Sequence, residues 1–144
     1  MILVTVGTTA FDPLIAAIDD MKLPKSTIIQ KADGYYLPRN YSYFDFDNEI
    51  EDYYHKADLV ITHGGAGTLF KLLGMGKKII GVPNLARSDH HQTDLLAKLA
   101  LDGHILYCQN LNELEETINK AKSFRPKKYH PPKCDIAKII LENL

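Results

Sequence analysis

Leu59-Val60-Ile61-Thr62-His63-Gly64-Gly65-Ala66-Gly67-Thr68 is the stretch on which the fold turns. Its first four residues are apolar or β-branched with no polar alternation, the pattern of a strand buried on both faces. Small residues follow, and then Leu69, Phe70, Leu72 and Leu73 recur at helical spacing until Gly74 or Gly76 stops them. This is a strand, a glycine turn and a helix. The same unit stands on either side. Upstream, Ile2 to Val6 runs into Gly7-Thr8-Thr9, and Asp12-Pro13 opens an apolar periodic stretch through Leu14, Ile15, Ala17, Ile18 and Met21. Asp at the N-cap with Pro in the first helical position makes a helix start. Downstream, Ile79 to Val82 is a buried strand closed by Pro83-Asn84, and a polar loop leads to a helix over Gln92 to Leu101 that ends at Gly103.

The intervening segments complete the pattern. Thr27 to Gln30 and Tyr41 to Phe46 read as strands, Lys31 to Asn40 as a loop, and Glu49 to Lys56 as a short helix. Ile105 to Tyr107 is a last strand, after which Asn112 is expected to cap a helix to about Ser123. Residues 125–144 read as a basic, Pro-containing tail followed by a terminal helix from Asp135. Strands alternating with helices give an α/β class: one Rossmann-like parallel sheet with helices on both faces, in one domain over 1–144. Ligands of such sheets bind outside the carboxyl ends of the strands. Gly7-Thr8-Thr9, His63 to Thr68 and Pro83 to Gln92 all belong to that rim.

Composition narrows the function classes. The chain has 144 residues, 45% hydrophobic and 24% charged, which is the make-up of one globular domain rather than a disordered one. Seventeen Lys and Arg against eighteen Asp and Glu leave a formal charge of −1, without the basic excess of a nucleic-acid binder. No apolar run is long enough to cross a membrane, and the apolar N-terminus lacks a basic leader and reads as a strand. Cys108 and Cys134 share no metal or redox spacing. A cytoplasmic, reduced setting is the expectation.

The glycine loop supports two readings. Small residues admit a ligand close to the backbone, and the first turn of the following helix offers unpaired N–H groups, so a diphosphate is its natural occupant. Alternatively, the glycines only make a tight turn. The loop has neither the Gly-Lys-Ser/Thr ending of a Walker motif nor the GxGxxG fingerprint, which disfavours nucleotide hydrolysis and NAD. Asp89-His90-His91-Gln92 reads as a helix start from which a His or Gln92 reaches a ligand, or as a cap alone. Adjacent histidines seldom share one ion, so no metal is expected. Gly7-Thr8-Thr9 adds hydroxyls and backbone donors, or is an ordinary turn. Tyr35, Tyr36, Tyr41, Tyr43, Tyr53 and Tyr54 crowd into one region, where they serve an interface or the core. The basic residues from Lys120 to Lys133 read as solvated surface before a lipid contact. No nucleophile arrangement stands out, and His63 is the one candidate for a catalytic base.

The opening Val4-Thr5-Val6-Gly7-Thr8-Thr9-Ala10-Phe11-Asp12 resembles the start of small donor-binding subunits of two-piece glycosyltransferases. Ala57 to Thr68 resembles the donor motif of the same family, as do Gly76 to Asn84 and the His91-Gln92 pair. This is the family 28 glycosyltransferase C-terminal domain, equivalent to the C-terminal half of a GT-B enzyme. The resemblance implies that this half holds a UDP-sugar, UDP-GlcNAc favoured, for transfer of a hexose or N-acetylhexosamine to a lipid-linked acceptor. It implies a membrane-anchored, acceptor-binding partner subunit that supplies the other wall of the cleft and the base. The chain would then sit peripherally at the cytosolic membrane face, inactive alone and able to dimerise when isolated. By the same resemblance Gly65, Ala66, Gly67 and Thr68 meet the diphosphate, His91 and Gln92 lie near the sugar or phosphate, and His63, Gly64 and Asn84 belong to the same donor site. Gly7 and Thr8 would face the cleft. Many relatives carry a Glu three residues after the motif's Ser or Thr, on the ribose hydroxyls, and this chain has Lys71, which cannot accept those hydrogens. That departure supports the alternative of a non-catalytic regulatory or assembly module that has lost its donor. A single-domain phosphosugar enzyme such as an epimerase is disfavoured, since no acid–base pair presents itself.

Overall fold

A computed structural model describes residues 1–85 and 90–130, the side chains of His90 and His91 excepted. Asp89, Cys134 and the helix expected from Asp135 lie outside the described residues. The strands are β1 (Ile2–Thr5), β2 (Ile28–Gln30), β3 (Ser42–Phe44), β4 (Leu59–Thr62), β5 (Lys78–Gly81) and β6 (Leu106–Tyr107). The helices are α1 (Asp12–Asp19), α2 (Ile50–Lys56), α3 (Ala66–Gly74), α4 (His90–Leu101) and α5 (Leu114–Ala121). All strand pairs are parallel, in the order β3-β2-β1-β4-β5-β6. The order reverses between β1 and β4, where Thr5 pairs with Thr62, so the ligand crevice expected of an open α/β sheet opens above these two strands.

The unbroken apolar runs are explained by two cores. Val4, Ile61 and Ile80 face α1 and α5, packing with Leu14, Ile18, Leu114 and Ile118. Leu3, Val60 and Ile79 face the other way, onto Tyr54, Leu69, Leu72 and Leu96 from α2, α3 and α4. Successive strand residues therefore enter opposite cores, and neither face can be polar. Gly76 and Gly103, at φ +71° and +83°, end α3 and α4. The next N–H in each case returns to the helix, Lys77 to the Leu72 carbonyl at 3.2 Å and His104 to Leu99 at 3.0 Å. Both ends are Schellman turns, which use the glycine's left-handed backbone.

Three local expectations need correction. Asp12 is not the cap of α1: Phe11 holds that position, and Asp12 lies inside the helix. Its carboxylate has a distant use, accepting the Tyr35 N–H at 3.1 Å while sitting against Gly34, where any Cβ would overlap it. The cap before α5 is Asn110 rather than Asn112. The Asn110 side chain accepts the Asn112 N–H at 2.9 Å and opens a 3₁₀ turn, Leu111–Glu113, that leads into the helix. The third strand stops at Phe44, so Phe46 is off the sheet and on the rim, 59% exposed.

The connection from β2 to β3 crosses over without a helix, and one carboxylate anchors it. Asp19, only 2% exposed, accepts the N–H groups of Arg39 and Asn40 and the Tyr36 hydroxyl, the last at 2.8 Å. Burial works against its charge. Even so, the two backbone donors, the Tyr36 hydroxyl and the Arg39 charge hold its carboxyl below the usual Asp range. Lys31 pins the other end, bonding the Gly34 carbonyl and pairing with Asp45, both at 2.9 Å.

Candidate functional site

The rim is made where β1, β4 and β5 end side by side. Gln30, buried at the end of β2, organises the first turn. Its Oε1 accepts the Thr5 hydroxyl at 2.7 Å and the Val6 and Gly7 N–H groups at 3.0 Å. Its Nε2 donates to the carbonyls of Gly7 and Asp45 at 2.8 Å. Gly7 therefore brings close approach to the rim, but its amide is committed to Gln30. Thr8 remains exposed beside it.

His63 lies beneath both turns at 9% exposure. A Cβ at Gly7 would stand 2.9 Å from its Cε1, and one at Gly65 would stand 2.8 Å from its Nε2. The two glycines thus let one imidazole fill the space between the β1 and β4 turns. His63, the candidate base, thus also spaces the two turns beneath the rim. Gly64 and Gly81 serve packing as well: a Cβ on either would press into Leu96 of α4, which is fully buried.

Gly67 is different. It lies in the first turn of α3, exposed, and a Cβ there would meet nothing within 4 Å. The helix begins after Gly65 with no side-chain cap, and Leu69 is the first residue to bond back, to the Gly65 carbonyl at 3.0 Å. The amides of Ala66, Gly67 and Thr68 are consequently left to the rim, with the positive end of the helix behind them. Tyr54 of α2 lies near both Thr68 and Thr5. Burial, with the Glu51 charge beside it, pushes the Tyr54 phenol above its ordinary value, against the opposing pull of Thr68, Lys71 and Thr5.

Beside the Gly7-Thr8 turn, on the α2 side, is a cleft of about 250 Å³, lined among others by Thr8, Gln30, Phe46, Asn48 and Tyr54. Lys71 of α3 pairs with Glu51 of α2, which follows the Ile50 that lines this cleft. Sequence reasoning missed Gln30, Phe46, Tyr54 and Glu51, because their places depend on which strands are neighbours. The tyrosine cluster divides: Tyr41 and Tyr54 are core, Tyr53 stacks on Phe44 at 4.9 Å, and Tyr35 stands 95% exposed. On the β5 side, Asn84 donates to the Ala10 carbonyl at 3.3 Å, tying that loop to the first. Gln92 is half-buried in the first turn of α4, next to His91. Among the described residues no group of three His, Cys, Asp or Glu is placed to hold a metal, and no helix is long and apolar enough to cross a membrane.

The model of the glycosyltransferase family 28 C-terminal domain matches residues 1–142. The chain belongs to that family. It is 35% identical over 122 residues to the human UDP-N-acetylglucosamine transferase subunit ALG13, covering 74% of this chain and 11% of that one. It is 33% identical over 110 residues to a transferase of Prochlorococcus marinus subsp. pastoris, covering 73% of this chain and 30% of the relative. The relative is named a UDP-N-acetylglucosamine–N-acetylmuramyl-(pentapeptide) pyrophosphoryl-undecaprenol N-acetylglucosamine transferase. The chain thus spans about a tenth to a third of these two proteins' lengths. MurG of Acinetobacter baumannii superposes with a TM-score of 0.69 at 20% identity, over 99% of this chain and 48% of MurG. The fold is that of one half of a GT-B glycosyltransferase, as the strand pattern and the resemblance led us to expect.

Proposed function

We propose that this chain is the donor-binding half of a UDP-sugar transferase, with UDP-GlcNAc the favoured donor, and that it works with a membrane-anchored partner holding a lipid-linked acceptor. The observation that carries the reading is Gly67. Packing leaves room for a side chain there, as it does at Gly74, but Gly67 stands in the first turn of α3, where a bare backbone exposes the helix amides to a ligand. An uncapped helix start with three free amides suits a diphosphate. Family membership supports the same reading, as do the names of both relatives, which carry UDP-N-acetylglucosamine as donor.

In this reading the diphosphate sits on the amides of Ala66, Gly67 and Thr68. The nucleoside lies in the cleft by Phe46, whose exposed ring offers an apolar face for a base. As the bond to the sugar breaks, charge develops on the leaving UDP, where fixed amide dipoles already stand. His91, Gln92 and Asn84 bound the sugar side. The acceptor's base comes from the partner, which makes the isolated chain inactive and the complex peripheral at the cytosolic membrane face. Lys71 cannot accept a ribose hydroxyl, but it pairs with Glu51, the residue after the cleft-lining Ile50, and we assign the ribose contact to Glu51.

Calorimetric titration of the chain with UDP and UDP-GlcNAc, with and without Mg²⁺, tests the reading. Metal-independent binding that disappears in Gly67→Asp is the expected result. Sugar transfer by the isolated chain would refute the divided active site, and absence of UDP binding even with a partner would favour a module that has lost its donor.

A further inference from the structure

The Gly7-Thr8-Thr9 turn is a ridge with a cleft on each side. The cleft on the α2 side was described above. On the α1 side lies a second, of about 500 Å³, lined by Thr8, Thr9, Asp33, Tyr35 and Asn84 among others. Thr8 belongs to both. We propose that this second cleft binds a pyranose ring of the acceptor, so that the donor half also reads the sugar receiving the transfer; its assignment to the acceptor rests on the donor reading of the α3 side.

Three observations support a sugar there. Tyr35 is 95% exposed, yet the loop that carries it is firmly held. Its own N–H bonds Asp12, Gly34 closes over the same carboxylate, Lys31 ties the Gly34 carbonyl, and Asp19 takes the N–H groups of Arg39 and Asn40. The buried Ala32 accepts a left-handed backbone, φ +55°, to make the turn. A loop already held in place loses little backbone entropy when the aromatic ring it carries is covered. The lining chemistry then selects the occupant. A protein contact favours an apolar centre depleted of charge. This cleft combines the Tyr35 ring and the apolar Ala10, Phe11 and Pro13 with two threonines, the Asp33 carboxylate and the Asn84 amide. That combination matches a pyranose, whose C–H face stacks on an aromatic ring while its hydroxyls donate to Asp33 and exchange hydrogen bonds with Thr8, Thr9 and Asn84. Placement agrees, because a sugar here is one threonine away from the donor cleft.

The test is an NMR titration of the ¹⁵N-labelled full chain with methyl β-N-acetylglucosaminide and methyl β-glucoside, each with and without saturating UDP. The expected result is shifts at residues 8–10, 33–35 and 84 that persist under UDP, with a dissociation constant on the order of millimolar. Tyr35→Ala should weaken the sugar about tenfold while UDP affinity is unchanged, and Tyr35→Phe should restore it. Asp33→Asn should weaken it several-fold. No shift with either glycoside overturns the proposal, as do shifts centred on residues 66–68 that UDP displaces. Loss of self-association in Tyr35→Ala with no change in sugar binding also overturns it, marking the face as a protein contact. Sugar binding without UDP binding, in the chain alone and with a partner present, would sustain the cleft and sink the donor reading instead.

Discussion

Gly67 separates a ligand requirement from a folding requirement, because the two respond oppositely to the same substitution. In Gly67→Asp the new side chain enters open space at the first turn of α3. Replacing glycine in a helix gains up to about 1 kcal/mol, and a carboxylate near a helix N-terminus adds about 0.3–1 kcal/mol. Folding stability should therefore hold or rise slightly. Binding should collapse. One carboxylate about 5 Å from a diphosphate carrying two charges is repelled by about 1.7 kcal/mol even at the dielectric of water, which is close to 20-fold in affinity. Partial burial of the contact makes the loss larger. Gly67→Ala, which adds only a methyl, should keep the stability gain and lose several-fold in affinity by holding the phosphate off the amides. Urea unfolding and calorimetric titration with UDP on the same preparations read both quantities. A Gly67→Asp protein that binds UDP within about threefold of the parent at unchanged stability would refute the diphosphate assignment. A variant destabilised by more than about 1 kcal/mol would instead refute the open space drawn at this position.

Gln30→Glu keeps the shape but loses the donor to the Gly7 and Asp45 carbonyls, and should cost about 2–4 kcal/mol in urea unfolding; a loss under about 0.5 kcal/mol would show that the turn does not depend on it. Asp19 has a lowered pKa in the folded chain, so its stabilisation is full above the unfolded value near about 3.9 and is lost as pH falls through the folded value. Asp19→Asn should cost about 2 kcal/mol at neutral pH and flatten the acid limb of the stability profile, and an acid limb unchanged in the variant would contradict the anchoring role. Gly81→Ala should cost about 1–3 kcal/mol by overlapping Leu96, and Leu96→Ala about 2–5 kcal/mol; the double variant should fall well short of their sum, whereas strict additivity would deny the contact. Glu51→Gln should erase most of the preference for UDP over 2′-deoxy-UDP, measured by titration, and a preserved preference would move the ribose contact elsewhere.

Period and punctuation carried much of the architecture. Continuous apolar or β-branched runs at Ile2 to Val6, Leu59 to Thr62 and Ile79 to Val82 read as strands buried on two faces, and Gly76 and Gly103 end their helices by a backbone geometry that local sequence specifies. Three unusual loops after three strands could therefore be assigned to one rim before any strand order was known. What could not be read was which remote group answers each polar side chain. Asp12 looked like a cap and became an anchor for Tyr35, and Asp19 in an apolar helix gave no sign that it would hold the β2–β3 crossover. Gln30 reaches Gly7, and Glu51 reaches Lys71, only because the sheet places β2 beside β1 and packs α2 near α3. Periodicity and capping act within a few residues and are written in the local pattern. Hydrogen-bond and ion-pair partners far apart in the chain exist only once the topology has chosen neighbours, so the sequence by itself determined the rim, and the tertiary structure decided which side chains furnish it.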